Sequence, residues 1–446
     1  MATLTGSRRL ARVGTALGIV AILAGACGSS GPPSAGPVQP SPTASLEPSS
    51  LPTPLPSAAS PSPAASLDND AIFNAIEGQV QGIRELSKKS DVARRILDED
   101  QLAALITASF DKSNPPALIA ANEQLLKSLG LLPQDASLKD LDVKLLSSQV
   151  AGLYDPDTKT MDVVSKSGQL GPIEQITYAH EFDHALQDQN FGLAKLGLDD
   201  TSNSDRGLAR LSLPEGDATL LMTQWAEVHM SPLQLLQLAQ EANDPSQTAL
   251  LAAMPDDLKE TLLFPYQQGL SWVNAMQSSG GWAAVDAAYA KPPDSTEQIL
   301  HPDKWASHEQ PIPVTIPTTL AAKLGPGWTM PLTDTFGEMQ FRIWLEQVGK
   351  LPVGQAEAAA AGWGGDRLAL VQNGSTFGIA MITKWDTPAD ATEFAAAAGP
   401  TLKLLPSSSA PVTAMIDPGS TNQVVLFIAS DQATINALAG ALGLAG

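Results

Sequence analysis

Two histidines four residues apart, with a glutamate directly after the first, constrain this chain more than any other feature. They stand in Tyr178-Ala179-His180-Glu181-Phe182-Asp183-His184-Ala185-Leu186-Gln187. On a helix, residues i and i+4 lie one above the other, so His180 and His184 can turn a ring nitrogen toward one point. Ile176, Ala179, Phe182, Ala185 and Leu186 are apolar at helical spacing, which predicts a helix packed into a core. H-E-x-x-H on such a helix is a zinc-binding pattern. The histidines are the metal ligands, and Glu181 stands beside them to take a proton from water.

A zinc site that does chemistry uses three protein ligands and leaves one position for water. Glu215, in Leu213-Pro214-Glu215-Gly216-Asp217-Ala218, is the best candidate for the third. Leu211 to Met222 predicts a second helix, with Glu215 near its first turn. Asp217 is expected to stand behind the metal and orient a histidine by accepting its other N–H. The plainer alternative is that both acids merely favour the positive end of a helix dipole. His301, in the proline-rich stretch Lys291 to Pro302, is a candidate oxyanion donor, an alternative ligand, or a histidine that caps a turn. Tyr266, in Phe264-Pro265-Tyr266, is a second candidate donor to an oxyanion. His229 and His308 are expected at the surface.

Upstream, Gln149 to Tyr154 and Thr160 to Val164 read as two strands about the turn Asp155-Pro156-Asp157-Thr158-Lys159, a β-hairpin. Beside a metal-bearing helix, the edge of such a hairpin can take up an extended peptide by strand addition. Asp68 to about Leu132 reads as helical scaffold, and Leu233 to Leu263 as amphipathic helix that Phe264 to Val273 punctuates. The tail from about Gln310 alternates strands and helices without a catalytic constellation. In Trp363-Gly364-Gly365-Asp366-Arg367 the glycines suggest a tight turn, and Arg367 a pairing with a carboxylate.

The N-terminus reads as an export signal. Arg8, Arg9 and Arg12 precede an apolar run, Val13 to Ala24, too short to span a bilayer comfortably. Leu23-Ala24-Gly25-Ala26-Cys27 resembles the lipobox of bacterial lipoproteins, which implies loss of residues 1–26 and acylation of Cys27 at the outer face of the cell membrane. Cys27 is the single cysteine, so a disulfide framework, a thiolate metal site and a thiol nucleophile are excluded. Residues 27–66, mostly Pro, Ser and Ala, form a tether that cannot bury a core. A net charge of −21 argues against a nucleic-acid partner, which needs clustered Lys and Arg.

Four blocks in order carry a more specific likeness: V-A-G-L-Y-D-P-D-T-K (Val150 to Lys159), A-H-E-F-D-H-A-L-Q-D-Q-N-F (Ala179 to Phe191), L-P-E-G-D-A (Leu213 to Ala218) and P-P-D-S-T-E-Q-I-L-H-P (Pro292 to Pro302). Between about Leu141 and Trp305 the chain resembles a family of uncharacterised zincin-like proteins of bacterial and archaeal surfaces, many of them lipoproteins. The resemblance implies a zincin fold of the gluzincin type, with His180, His184 and Glu215 on zinc and Glu181 as base. It implies no substrate. Asp183 departs from the usual motif, where a neutral or small residue is common, and is expected to face solvent.

The expected architecture is α+β. A mainly helical zincin-like metallopeptidase domain with a small edge hairpin (residues 67–310) precedes a small α+β C-terminal region (311–446). The expected function is a cell-surface zinc peptidase acting on peptides or proteins. The alternative is a lipid-anchored binding or envelope scaffold protein on the same fold. Hydrolysis of a non-peptide amide, in the cell wall for example, is a third reading.

Overall fold

A computed structural model describes residues 14–17 and 68–444, apart from 199, 243, 244 and 409–411. The expected signal segment other than residues 14–17, the expected acylation site Cys27 and the expected tether lie outside the described residues. Among those described, no helix is long and apolar enough to cross a membrane. The fold is α+β, as the sequence predicts.

Helix α1 (Asn69–Arg84) leads to a small sheet and then to α2 (Pro172–Phe191), the motif helix. Pro172 occupies the first position of α2, where a missing N–H costs nothing, and Gly192 ends it in a left-handed conformation at φ 78°. Every residue from Ile176 to Gln187 is buried, because α2 is enclosed on several sides. α1 packs on one side and α3 (Ser204–His229) on another, while the sheet lies along a third.

That sheet comprises β1 (Gly14–Leu17), β2 (Ala93–Leu97), β3 (Val150–Asp155) and β4 (Thr160–Val164), in the order β1-β3-β4-β2. β3 and β4 form the expected antiparallel hairpin. Asp155 Oδ1 shapes its turn by accepting from the backbone N–H of Asp157 and Thr158. β2 joins β4 in parallel, although the sequence from Arg94 reads as helix. Its helical spacing is overridden by the backbone partners that β4 offers. β1 runs antiparallel along the outer edge of β3.

α3 begins at Ser204, capped by Asn203, well before the expected start. Glu215 therefore stands in mid-helix just after Pro214, and a favourable place at the positive end of the dipole does not explain it. α3 packs lengthwise against α4 (Asp256–Ala288), which runs on through Pro265 where a break is expected and kinks instead at Gly280–Gly281. Ser295 caps the short α5 (Thr296–Leu300).

The C-terminal region adds β5 (Thr329–Asp334), α6 (Gly337–Gln347), β6 (Trp363–Asn373), β7 (Thr376–Trp385), β8 (Val412–Ile416) and β9 (Gln423–Ala429). The strands make an antiparallel sheet of order β5-β6-β7-β9-β8. Gly364 and Gly365 lie within β6 rather than in a tight turn. They are small because the chain at Ile312 crosses them: a Cβ on Gly365 would sit 2.2 Å from the Ile312 carbonyl oxygen. One apolar core runs from Phe73, Tyr178 and Phe182 to Phe341, Trp344 and Trp385, so the two regions pack as a unit.

Candidate metal centre

His180 and His184 project from the same face of α2 toward Glu215 on α3. His180 Nε2 lies 3.1 Å from His184 Nε2, and Glu215 Oε2 lies 3.3 Å from each ring nitrogen. The three donor atoms form a nearly equilateral triangle. Donors about 2.0–2.1 Å from a tetrahedral zinc stand about 3.3 Å apart, so the triangle fits that ion. Two imidazoles and one carboxylate also match the ligand set of catalytic zinc. All three side chains are about 1 % exposed.

Electrostatics inside the triangle follow from its burial. Burial disfavours the Glu215 carboxylate, but His184 and His180 beside it outweigh that and pull its pKa down to about 2. Burial alone would lower His184, yet the Glu215 carboxylate raises it to about 10. His180 is pushed down by burial in spite of Glu215. Without a metal the Glu215 carboxylate thus faces one protonated histidine, and the proton they share stands in the place where a cation fits.

Glu181 is fully buried beside the triangle and packs against β3: a Cβ on Gly152 would lie 3.4 Å from Glu181 Cγ and 2.6 Å from Thr177 Cγ2. Gly152 thus lets the hairpin edge close on the motif helix. Tyr266 of α4 reaches the same region, its ring 6.3 Å from that of His180 with the planes at 28°. A second contact sets this approach, since a Cβ on Gly216 would stand 2.3 Å from the Gly269 carbonyl oxygen.

Asp217 does not orient a histidine. It accepts two hydrogen bonds from Arg84, at 2.8 and 3.0 Å, and a third from the Tyr289 hydroxyl at 2.8 Å. Residues two apart on a helix point to nearly opposite sides, so Glu215 and Asp217 cannot serve one histidine. The partner of His184 is Gln187, whose Oε1 lies 2.9 Å from His184 Nδ1. Gln187 Nε2 in turn donates to Asp183 Oδ2 at 2.8 Å and to the Pro214 carbonyl at 3.1 Å. Asp183 is therefore buried rather than solvent-facing, and its pKa is raised well above the usual range by burial and by Asp217. The sequence held one signal for this pair: Asp183 and Gln187 are four apart on the motif helix.

His301 is not brought to the triangle. Its Nε2 lies 2.8 Å from Glu338 Oε1 at the start of α6. It belongs to the junction between the two regions, like Thr296, whose hydroxyl accepts from the Met339 backbone N–H. Trp363, Gly365, Asp366 and Arg367 line a cavity of about 510 Å³ together with Asp205 and Arg206. Among the described residues, Arg367 donates to the Ser202 carbonyl and the Thr333 hydroxyl and to no carboxylate. A second acidic group, Glu297, Glu309 and Asp386, is already bridged by the Lys304 ammonium at 2.6, 2.9 and 2.5 Å.

Residues 327–435, which span most of the C-terminal region, match a family model described as a domain of unknown function, DUF8575. No curated protein and no solved structure matches the chain.

Proposed function

We propose that this chain is a zinc-dependent peptidase of the zincin type, exported and held at the cell exterior by a lipid on Cys27. The observation that carries this reading is the buried triangle of His180, His184 and Glu215 with Glu181 beside it. These three would hold zinc, which when bound supplies Lewis-acid activation of water and of the scissile carbonyl. Glu181 takes the proton of the attacking water and returns it to the leaving amine. Tyr266, beside His180, is the candidate hydroxyl donor to the oxyanion, and His301 has no part in this step. An extended peptide would pair with the edge of β3 in the place of β1, whose residues belong to the signal segment lost on export.

Bound zinc per full-length chain tests the site, in wild type and in Glu215→Ala. One zinc in the wild type and much less in the variant is the expected result. Zinc retained without Glu215 removes it as the third ligand. Cleavage of an unfolded protein substrate tests the reaction: Glu181→Gln should keep the metal and lose turnover by roughly 10²–10⁴-fold. Equal proteolysis by wild type and variant would sink the mechanism.

One observation favours the second reading, a binding or scaffold protein. The ligands and Glu181 are all about 1 % exposed or less, as in a metal site that cross-links elements. One zinc per chain with no cleavage by the wild type would select it.

A further inference from the structure

We propose that Gln187 is a positioning residue for the donor triangle: it holds a proton on Nδ1 of His184 and so presents Nε2 to His180 and Glu215. The zinc reading above supplies the use of Nε2. The hydrogen-bond logic stands without the metal.

The orientation of the Gln187 amide decides the matter. Its nitrogen faces the Pro214 carbonyl oxygen at 3.1 Å and Asp183 Oδ2 at 2.8 Å. A backbone carbonyl can only accept, so the amide nitrogen must face it. An amide turned the other way would set its oxygen against Pro214 O, whatever the state of Asp183. With the nitrogen so fixed, Oε1 faces His184 Nδ1 at 2.9 Å. A carbonyl oxygen requires a proton on the nitrogen opposite, so Nδ1 carries one. Once His184 gives up its other proton, as binding a metal requires, the lone pair lies on Nε2, the atom in the triangle. Gln187 is fully buried, so no water competes for either end of the amide.

The device joins two helices. His184, Asp183 and Gln187 lie at spacings of three and four on α2, which brings them to adjoining positions. Pro214 supplies its carbonyl from α3, one residue before the ligand Glu215. The same helix thus delivers the third donor and fixes the tautomer of the second. Asp183 assists but is dispensable to this logic, because the Pro214 carbonyl alone forbids the opposite orientation.

The test uses full-length protein labelled with ¹⁵N-histidine. In the metal-free wild type, His184 should show a slowly exchanging Nδ1–H proton. Asp183→Asn should keep that signal, and Gln187→Met should lose it. Competition with a chromophoric chelator should show zinc affinity about 10–100-fold weaker in Gln187→Met. Nδ1–H and affinity both unchanged in Gln187→Met would overturn the proposal. Should that variant fail to fold, the wild-type spectrum decides, since a His184 proton on Nε2 alone overturns it equally. A wild type with the Nδ1–H signal and no zinc would leave this inference standing and remove the peptidase reading instead.

Discussion

Gly216 of α3 and Gly269 of α4 meet backbone to backbone. A Cβ on Gly216 would lie 2.3 Å from the Gly269 carbonyl oxygen, and one on Gly269 would lie 2.4 Å from the Ser212 carbonyl oxygen. Neither obstacle is a flexible side chain, so the helices must part to admit a methyl group. Gly216 follows Glu215 directly, and Tyr266 lies one turn before Gly269. Separation of the helices therefore moves a donor of the triangle and the neighbour of His180 together. Gly216→Ala is expected to cost about 1–3 kcal/mol or more as an overpacked contact. It should also weaken zinc binding, whereas Gly280→Ala at the kink, facing a single alanine methyl, should spare it. Urea unfolding and zinc titration of the two variants check both halves.

Gly152 tests the hairpin edge by the same reasoning at a different place. An alanine there would crowd Thr177 Cγ2 at 2.6 Å and the Asp162 carbonyl at 3.0 Å before it touches Glu181 Cγ at 3.4 Å. None of the three triangle residues is among these three nearest contacts. Gly152→Ala should thus keep about one zinc per chain and lose much of its turnover, because the base and the peptide edge shift while the ligands stay. Loss of zinc in step with turnover would refute this division of labour.

The motif helix, its two histidines and their approach to Glu215 are legible in the sequence because each is tied to local pattern: a spacing of four on an apolar helix, and an acid in a compact block. The hairpin was legible for the same reason. What escaped was set by partners far away along the chain. Asp217 reads as an aid to histidine because nothing near it in the sequence announces Arg84, 133 residues earlier. Asp183 looked exposed because an acid on a helix usually is, and only the enclosure of α2 on several sides reverses that. Pro265 reads as punctuation and Pro214 as part of a first turn, yet both lie well inside helices whose lost hydrogen bonds are offset by packing. The glycines of β6 read as a turn in the sequence, since the crossing chain at Ile312 that requires them is not a local feature.

Arg84 carries the next prediction. It is fully buried, paired with Asp217 and with Asp286 at 2.7 Å, stacked 4.4 Å from the Trp282 ring, and 3.9 Å from Asp183. Arg84→Met would leave Asp183 and Asp217 buried without their cation. Breaking such a pair from one side costs about 3–5 kcal/mol. The double variant Arg84→Met with Asp217→Asn should recover part of that loss, because one of the stranded charges is gone. Additive losses in the double variant would show that the pair is not coupled.

The last prediction concerns alkaline pH. Asp257 is fully buried with neither carboxylate oxygen hydrogen-bonded, and burial, then Glu260 and Asp142, raise its pKa to about 8. Burial alone raises Asp142 to about 7. Asp366 and Glu297, at about 7 and about 8, are shifted in the same direction by burial. In the unfolded chain these carboxyls titrate near about 4. Below that pH both states hold the protons, and the contribution to stability is complete. As pH rises, the unfolded chain releases its protons first while the folded chain keeps them, so stability falls until pH has passed through about 8. The urea midpoint of the metal-free protein should therefore drop between pH 5 and pH 8.5. Asp257→Asn, neutral at every pH, should flatten that slope. Parallel slopes in wild type and variant would exclude Asp257 as a source of the alkaline loss.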